Sequence, residues 1–282
     1  MIPAEFDYVA PESLDAALAA LREGGEDAKV LAGGHSLVPL MKLRLAAPAL
    51  IVDLRRVPGL DGISEDGGTV RIGAMTRHHA VATAPRLGLA ARAAATIADQ
   101  QVRNRGTIGG TLAHGDPASD LPAVLVALEG AVVVRGERGE RTIAGADLFQ
   151  DYLTTALEQG EILTEVRLPA ADGWGAGYAK FNRRVEDWAM VAVCAAVRKA
   201  PDGSCEDVRV GLTNMAGVPL RAGAVEAALR GRSLDPSAIA AAAEQAAEGT
   251  DPPADLNASA DYKRHLARVL CRRALEEAAA AA

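Results

Sequence analysis

Two short glycine-rich stretches contain the residue types best suited to holding an anion. The first is "AGGHS" at residues 32–36, which follows a short apolar run and precedes "LVPLMKLRL", a stretch of helical character. The second is "TIGGT" at residues 107–111. Glycines leave the backbone N–H groups bare, and such groups at the start of a helix favour a phosphate. A turn that binds nothing has the same residue pattern, so each stretch alone leaves both interpretations open.

The two stretches together could hold one diphosphate between them. Thr107 and Thr111 add hydroxyl groups, and Asp116 and Asp120 add carboxylates that could accept hydrogen bonds from a polyol. Neither stretch matches GxGxxG or GxxxxGK[ST], so the motifs argue against a Rossmann site and a P-loop site.

The histidines have structural as well as functional interpretations. His35 could bond a phosphate oxygen or cap a turn, and Ser36 could be a ligand, the N-cap of the next helix, or both. His78 and His79, adjacent on a predicted helix, point about 100° apart, so we expect surface residues and no metal site. The sequence shows no nucleophile–base pair or paired-carboxylate cleft, and no catalytic residue is predicted.

Composition excludes several classes of protein. The chain has 282 residues, 49% of them hydrophobic, and a net charge of −7, which argues against nucleic-acid binding. The three cysteines form no CxxC, so neither a disulfide framework nor a cysteine-held metal or iron–sulfur site is expected. No signal peptide and no apolar run of the ~20 residues that span a bilayer is visible. We therefore expect a cytoplasmic protein without a transmembrane segment.

The order of elements predicts an α+β fold in three units, 1–57, 58–173 and 174–282. Glycines cluster at 170–177, which favours a boundary there. The predicted strands are 29–32, 49–54, 69–74, 131–134, 140–143 and 162–169. One predicted helix begins after Ser13, and further predicted helices cover 36–45, 76–83 and 87–99. Three alanine-rich helices are predicted toward the C-terminus.

The segments "VLAGGHSLVPLMKLRL" (30–45) and "QVRNRGTIGGTLAHGDPASDLPAVLVAL" (101–128) resemble the FAD-binding medium subunit of the molybdenum hydroxylases. That family includes the carbon monoxide dehydrogenase medium subunit and the flavin domain of xanthine dehydrogenase. The resemblance extends over nearly the whole chain. It implies a two-subdomain FAD-binding domain of the PCMH type, followed by a C-terminal α/β domain with a β-sheet and three helices.

The resemblance also implies a set of FAD-binding residues. It assigns the diphosphate and adjacent groups to Val30, Leu31, Ala32, Gly33, Gly34, His35, Ser36 and Leu37. It assigns a second pyrophosphate turn to Thr107, Ile108, Gly109, Gly110 and Thr111. Asp120 would bond the polar chain of the cofactor, and the Leu163 backbone would contact the adenine or ring region. Lys180 would lie near the pyrimidine end of the flavin, and Trp188 would lie over the isoalloxazine.

The function implied by the resemblance is electron transfer through non-covalently bound FAD. A large partner subunit would oxidise the substrate at a molybdenum cofactor, and a small partner would carry two two-iron, two-sulfur clusters. The expected assembly is a dimer of heterotrimers that delivers electrons to an external acceptor. Two alternatives stay open: a stand-alone flavin oxidase or dehydrogenase, for which FAD covalently bound to His35 is one indication, and a non-catalytic nucleotide-binding module.

Overall fold

A computed structural model describes residues 2–282 of the chain. The first unit is a small parallel sheet with one helix before its second strand and one after it. In chain order its elements are β1 (Asp7–Val9), α1 (Leu14–Gly24), β2 (Ala28–Leu31), α2 (Leu37–Lys42) and β3 (Leu50–Asp53). The strand order is β1-β3-β2. Ser13 caps α1 by accepting the N–H of Ala16 at 3.1 Å, which confirms the predicted start of that helix.

The second unit combines a five-stranded antiparallel sheet with a group of short helices. Its first part comprises β4 (Ile63–Asp66), β5 (Thr69–Gly73), α3 (His78–Ala82), α4 (Leu89–Ala95), α5 (Gln100–Arg103), α6 (Ile108–His114) and α7 (Asp120–Ala127). Its second part comprises β6 (Ala131–Gly136), β7 (Gly139–Ala144), α8 (Gly145–Leu148), β8 (Phe149–Asp151), β9 (Thr154–Thr155) and β10 (Ile162–Pro169). The order β4-β5-β10-β6-β7 places β10 at the centre of the sheet.

The third unit is an antiparallel sheet covered by helices. Its elements are β11 (Gly175–Phe181), β12 (Val191–Lys199), β13 (Cys205–Thr213), β14 (Leu220–Arg221), α9 (Gly223–Leu229), α10 (Pro236–Ala243) and α11 (Ala260–Ala281). A Cβ atom added at Gly177 would lie 2.0 Å from the carbonyl oxygen of Ala274. Glycine in β11 therefore lets α11 lie directly on the sheet.

The units pack on one another through shared cores. The largest hydrophobic cluster joins helices and strands of the second unit to Cys194 and Ala196 of β12. A smaller cluster joins α1 and β3 to Met75 and Ile162 of the second unit. Each of the three larger sheets falls inside one predicted unit, while the exact domain boundaries stay a prediction.

The predicted α+β class and the three C-terminal helices are confirmed. The predicted helices over 36–45, 76–83 and 87–99 are longer than the observed α2, α3 and α4. One cause is visible after α2, where Arg44 has a φ of 59°, a left-handed conformation that does not continue a helix. Among residues 2–282, none of the helices combines the length and apolar character needed to cross a membrane.

Candidate functional site

A cleft of about 630 Å³ lies where the three units meet. Its lining comes from 21–40 of the first unit, 78–161 of the second and 180–188 of the third. The volume lies within the range of about 300–1,000 Å³ that is usual for small-molecule and cofactor sites. The cleft is therefore a site that the chain completes only when all three units are in place.

The first glycine stretch forms one wall of the cleft and carries free donors. Residues 32–36 connect β2 to α2, and Gly34 has a φ of 81°, which glycine adopts without strain. Within the described residues 2–282, the N–H groups of residues 33–36 make no hydrogen bond. Ser36 directly precedes α2, but it has helical backbone angles and its side chain forms no cap bond, so of the two roles left open for Ser36 the structure does not form the side-chain cap. Four consecutive free N–H groups in residues that line a cleft are suited to binding an anion.

The second glycine stretch covers the N-cap Thr107 and the first turn of α6, and the N–H groups of residues 108–111 already have partners. Ile108 donates to the Thr76 carbonyl at 3.0 Å, and Gly109 donates to the Ala74 carbonyl at 2.8 Å. Gly110 donates to the Thr107 hydroxyl at 3.2 Å, and Thr111 donates to the Thr107 carbonyl at 3.1 Å. The two stretches that look equivalent in the sequence therefore differ, because only the first offers a row of unpaired N–H donors, whereas residues 108–111 of the second donate within the chain.

Gly33 and Gly109 lie so close to other parts of the chain that neither position has room for a side chain. A Cβ atom added at Gly33 would lie 2.5 Å from the carbonyl oxygen of Arg105 and 2.7 Å from Cα of Gly106. A Cβ atom added at Gly109 would lie 2.5 Å from Cβ of Ala74. Close contacts within the chain therefore require glycine at these two positions and shape the cleft wall. No sequence pattern predicted these contacts.

Asp120 and Lys180 form a buried ion pair in the cleft wall. Lys180 Nζ lies 3.0 Å from Asp120 Oδ2, and each side chain is 6% exposed. Lys180 also donates to the Thr96 carbonyl at 3.2 Å, and the Tyr178 hydroxyl donates to Asp120 Oδ1. Desolvation of the hydroxyl, together with the charge of Asp120, raises the pKa of Tyr178 well above its ordinary value. Both carboxylate oxygens of Asp120 therefore already accept hydrogen bonds from the chain.

Most of the residues expected to bind the cofactor line the cleft. These are Val30, Leu31, Ala32, Gly33, Gly34, His35, Ser36, Leu37, Thr107, Gly110, Thr111, Asp120, Lys180 and Trp188. Ile108, Gly109 and Leu163 do not line it: Ile108 is 2% exposed, Gly109 packs against Ala74, and Leu163 lies in the core of the second unit. Whether each lining residue binds FAD stays a prediction.

Several cleft residues were not predicted from the sequence. The loop 157–161 before β10 lines the cleft in place of Leu163, and Ile97, Ala98 and Val102 supply an apolar wall. Asp116 does not line it, because its Oδ1 caps a local turn by accepting from the Ala118 N–H at 2.8 Å. A turn of ordinary composition such as 157–161 carries no sequence signal, since only the tertiary fold brings it to the cleft.

The expectation that His78 is a surface residue is wrong. His78 is 3% exposed and lines the cleft, whereas His79 is exposed and contacts Gln100. The backbone N–H of His78 donates to the Gly106 carbonyl at 3.0 Å, and a Cβ atom on Gly106 would lie 2.6 Å from the ring. Burial lowers the pKa of His78 to about 4, and the charges of His35 and Arg103 act in the same direction. A neutral imidazole thus supports the loop before α6.

The loop 182–190 between β11 and β12 covers one end of the cleft. It carries Glu186, Asp187 and Trp188 into the lining, and Trp188 is 55% exposed. Asn182 Nδ2 donates to the Val185 carbonyl at 3.1 Å and so braces the loop. An indole that is held at the cleft mouth and remains half exposed is available for stacking on a planar ligand.

Two family descriptions match the chain in succession. "FAD binding domain in molybdopterin dehydrogenase" matches residues 4–171, and "CO dehydrogenase flavoprotein C-terminal domain" matches residues 176–278. The carbon monoxide dehydrogenase medium chain of Hydrogenophaga pseudoflava is 45% identical over 283 residues, 99% of this chain and 98% of that protein. The glyceraldehyde dehydrogenase medium chain of Sulfolobus acidocaldarius is 36% identical over 99% of this chain and 100% of that protein.

Solved structures agree with the sequence relatives. Carbon monoxide dehydrogenase from Hydrogenophaga pseudoflava superposes with a TM-score of 0.95 at 46% identity, covering 99% of both chains. Quinoline 2-oxidoreductase from Pseudomonas putida 86 superposes with a TM-score of 0.94 at 33% identity, also covering 99% of both chains. The resemblance drawn from the two motifs is confirmed. Because both domains match in order along nearly its whole length, the chain belongs to the family of FAD-binding medium subunits of the molybdenum hydroxylases.

Proposed function

We propose that this chain carries FAD in the cleft and relays electrons from the iron–sulfur clusters of a small partner subunit to an external acceptor. Membership of the family supports the cofactor, and the named relatives are medium chains of dehydrogenases. The proposed assembly includes a large subunit that holds the molybdenum cofactor, with two heterotrimers per complex.

The observation that carries the proposal is the row of free N–H groups at residues 33–36. No arginine lines the cleft within residues 2–282, so guanidinium groups of this chain do not meet a diphosphate there. Backbone N–H groups provide partial positive charge without a side chain in the way, which is the chemistry a diphosphate requires. The residues present therefore fit the diphosphate of FAD.

Other lining residues of the cleft fit an isoalloxazine ring. Trp188 offers a half-exposed indole for stacking, and Ile97 and Val102 provide apolar surface. The Lys180 ammonium lies in the wall with Asp120 as its counter-ion, so it provides a fixed cation whose charge is largely compensated. FAD bound in this position supplies a group that takes up and releases electrons one or two at a time.

Oxidation of the substrate belongs to a partner in this proposal. Among the described residues that line the cleft, no nucleophile is paired with a base, and no three His, Cys, Asp or Glu side chains within 2–282 could hold a metal ion. The relatives are named for carbon monoxide, glyceraldehyde and 6-hydroxypseudooxynicotine, at 45%, 36% and 39% identity. Such a range at similar identity supports selection of the substrate outside this chain.

An absorption spectrum of the purified chain, before and after acid precipitation, tests the cofactor. We expect flavin bands that move wholly into the supernatant. Colour retained in the pellet would indicate FAD covalently bound at His35 and a stand-alone oxidase, and a chain that binds no added FAD would contradict the proposal. The relay itself is tested by adding substrate to the chain in complex with its partner subunits and to a preparation that lacks the iron–sulfur subunit. The flavin absorbance should bleach only when the iron–sulfur subunit is present.

A further inference from the structure

Tyr178 and Lys180 reach the same carboxylate from one strand. They are two residues apart on β11, so both side chains leave the same face of the strand. Both contact Asp120, the first residue of α7. Lys180 also contacts the carbonyl of Thr96, which follows the last residue of α4. Three elements from two units therefore meet at this group.

The hydrogen bonds of the group fix the geometry of Asp120. Its Oδ1 accepts from the Tyr178 hydroxyl, and its Oδ2 accepts from Lys180 Nζ at 3.0 Å. A carboxylate that is held at both oxygens by groups on a rigid strand has little freedom to rotate. Without the phenol, Asp120 would keep only its bond to Lys180.

The Lys180 ammonium is positioned by two acceptors, and its third N–H donor has no partner within residues 2–282. Lys180 Nζ has three N–H donors, and the structure uses one for Asp120 and one for the Thr96 carbonyl. The side chain is 6% exposed and lies in the cleft wall. The direction in which the third donor points therefore depends on where Asp120 is held.

We propose that Tyr178 is a positioning residue for bound FAD: it orients Asp120, and through Asp120 it fixes the Lys180 ammonium in the cleft wall. The inference rests on the proposed function, since it assumes that FAD lies in this cleft. Tyr178 does not line the cleft itself, so its influence on the flavin passes through Asp120 and Lys180.

A double-mutant cycle on the reduction potential of bound FAD tests this role. The four proteins are wild type, Tyr178→Phe, Lys180→Ala and the double variant. We expect Tyr178→Phe to shift the potential downward, in the same direction as Lys180→Ala, because Asp120 is then free to draw the ammonium out of the cleft. In the Lys180→Ala background, Tyr178→Phe should add no further shift, since the group through which it acts is gone.

Tyr262→Phe is the matched control. Tyr262 is 42% exposed on α11, and its hydroxyl makes no hydrogen bond within residues 2–282, so the same atom is removed without touching Asp120. The FAD dissociation constant and the urea midpoint are measured for every variant. A general loss of packing would lower the urea midpoint of Tyr178→Phe and leave its shift additive with that of Lys180→Ala.

An additive shift, or an unchanged potential in Tyr178→Phe with FAD still bound, would overturn the inference. If Tyr178→Phe does not fold, Asp120→Asn takes its place in the cycle. It removes the carboxylate that holds the Lys180 ammonium, so the potential should rise, and the rise should differ between the Lys180 and Lys180→Ala backgrounds because only the first has an ammonium to reposition. An unchanged potential in Asp120→Asn would again overturn the inference. A wild-type chain that binds no FAD would overturn the proposed function instead.

Discussion

Gly33 lies against the backbone of Arg105 so closely that a Cβ atom on Gly33 would be 2.5 Å from the Arg105 carbonyl oxygen. This contact joins the loop after β2 to the loop before α6, which belong to different units of the fold. Arg77 strengthens the second loop by donating to the same carbonyl. The cleft wall that offers free N–H groups is therefore held in place by a contact for which only glycine has room.

Gly33→Ala should separate the two loops and weaken FAD binding. Relieving a contact of this kind costs about 1–3 kcal/mol when the neighbour is backbone. We expect the dissociation constant of FAD to rise about tenfold or more, at ~1.4 kcal/mol per decade. Gly223→Ala is the control, because nothing lies within 4 Å of a Cβ atom there. Equal FAD affinity in Gly33→Ala and wild type would contradict the assigned role of the contact.

Gly110→Val should reduce the fraction of chains that carry FAD. A Cβ atom at this position would lie 2.7 Å from the Thr107 hydroxyl, and the residue lines the cleft. The side chain would both displace the cap of α6 and occupy space in the cleft. Flavin occupancy is measured from the ratio of flavin to protein absorbance. A flavin occupancy equal to that of wild type would show that the start of α6 does not contribute to FAD binding.

Lys180→Ala should lower the reduction potential of FAD while FAD stays bound, because a cation in the cleft wall favours the more negative, reduced flavin. The same change leaves Asp120 buried without a counter-ion, which costs about 3–5 kcal/mol of folding stability. Adding Asp120→Asn to Lys180→Ala should recover part of that loss in urea unfolding. A potential that does not move would exclude Lys180 from tuning the flavin.

Acid should destabilise the chain through His78. The imidazole has a pKa of about 4 in the folded chain, against an ordinary value of 6.5. Between these values the unfolded chain binds more protons, so stability falls as the pH falls from 6.5 to 4. The loss amounts to about 3 kcal/mol, at ~1.4 kcal/mol per pKa unit.

The check is urea unfolding of wild type, His78→Gln and the exposed control His79→Gln across that pH range. His78→Gln does not titrate there and should lose this part of the pH dependence, while His79→Gln should keep it. The same slope in His78→Gln as in wild type would show that another group is responsible.

Trp188 should report FAD binding directly. The chain has two tryptophans, and Trp174 lies away from the cleft between the guanidinium groups of Arg198 and Arg209, 5.0 Å and 4.7 Å from its ring centroid. We expect added FAD to quench the fluorescence of Trp174→Phe strongly and that of Trp188→Phe weakly. Because Trp188 is half exposed, Trp188→Phe should change stability by no more than about 0.5 kcal/mol. Strong quenching in Trp188→Phe would contradict the stacking role.

The local elements and the family could be predicted because their signals are local. Ser13 as the cap of α1, the β-strand segments and the two glycine stretches all depend on residues close together in the chain. The longer helices predicted at 36–45 and 87–99 were wrong at their ends, where left-handed residues and loop contacts stop the helix. The prediction that His78 lies on the surface was wrong for a related reason, since its burial comes from the loop around Gly106 and not from its own helix.

The sequence by itself determined the α+β class, the order of the elements and the two motifs that place the chain in its family, because periodicity and short motifs are properties of neighbouring residues. Only the tertiary structure decided which glycine stretch keeps a row of free N–H donors, since the carbonyls of Ala74 and Thr76, just after β5, accept from Gly109 and Ile108 of the other stretch. It also decided that Asp120 is the partner of Lys180 and Tyr178. Residues that are far apart in the chain compete for the same hydrogen bonds, and that competition is resolved only when the units pack together.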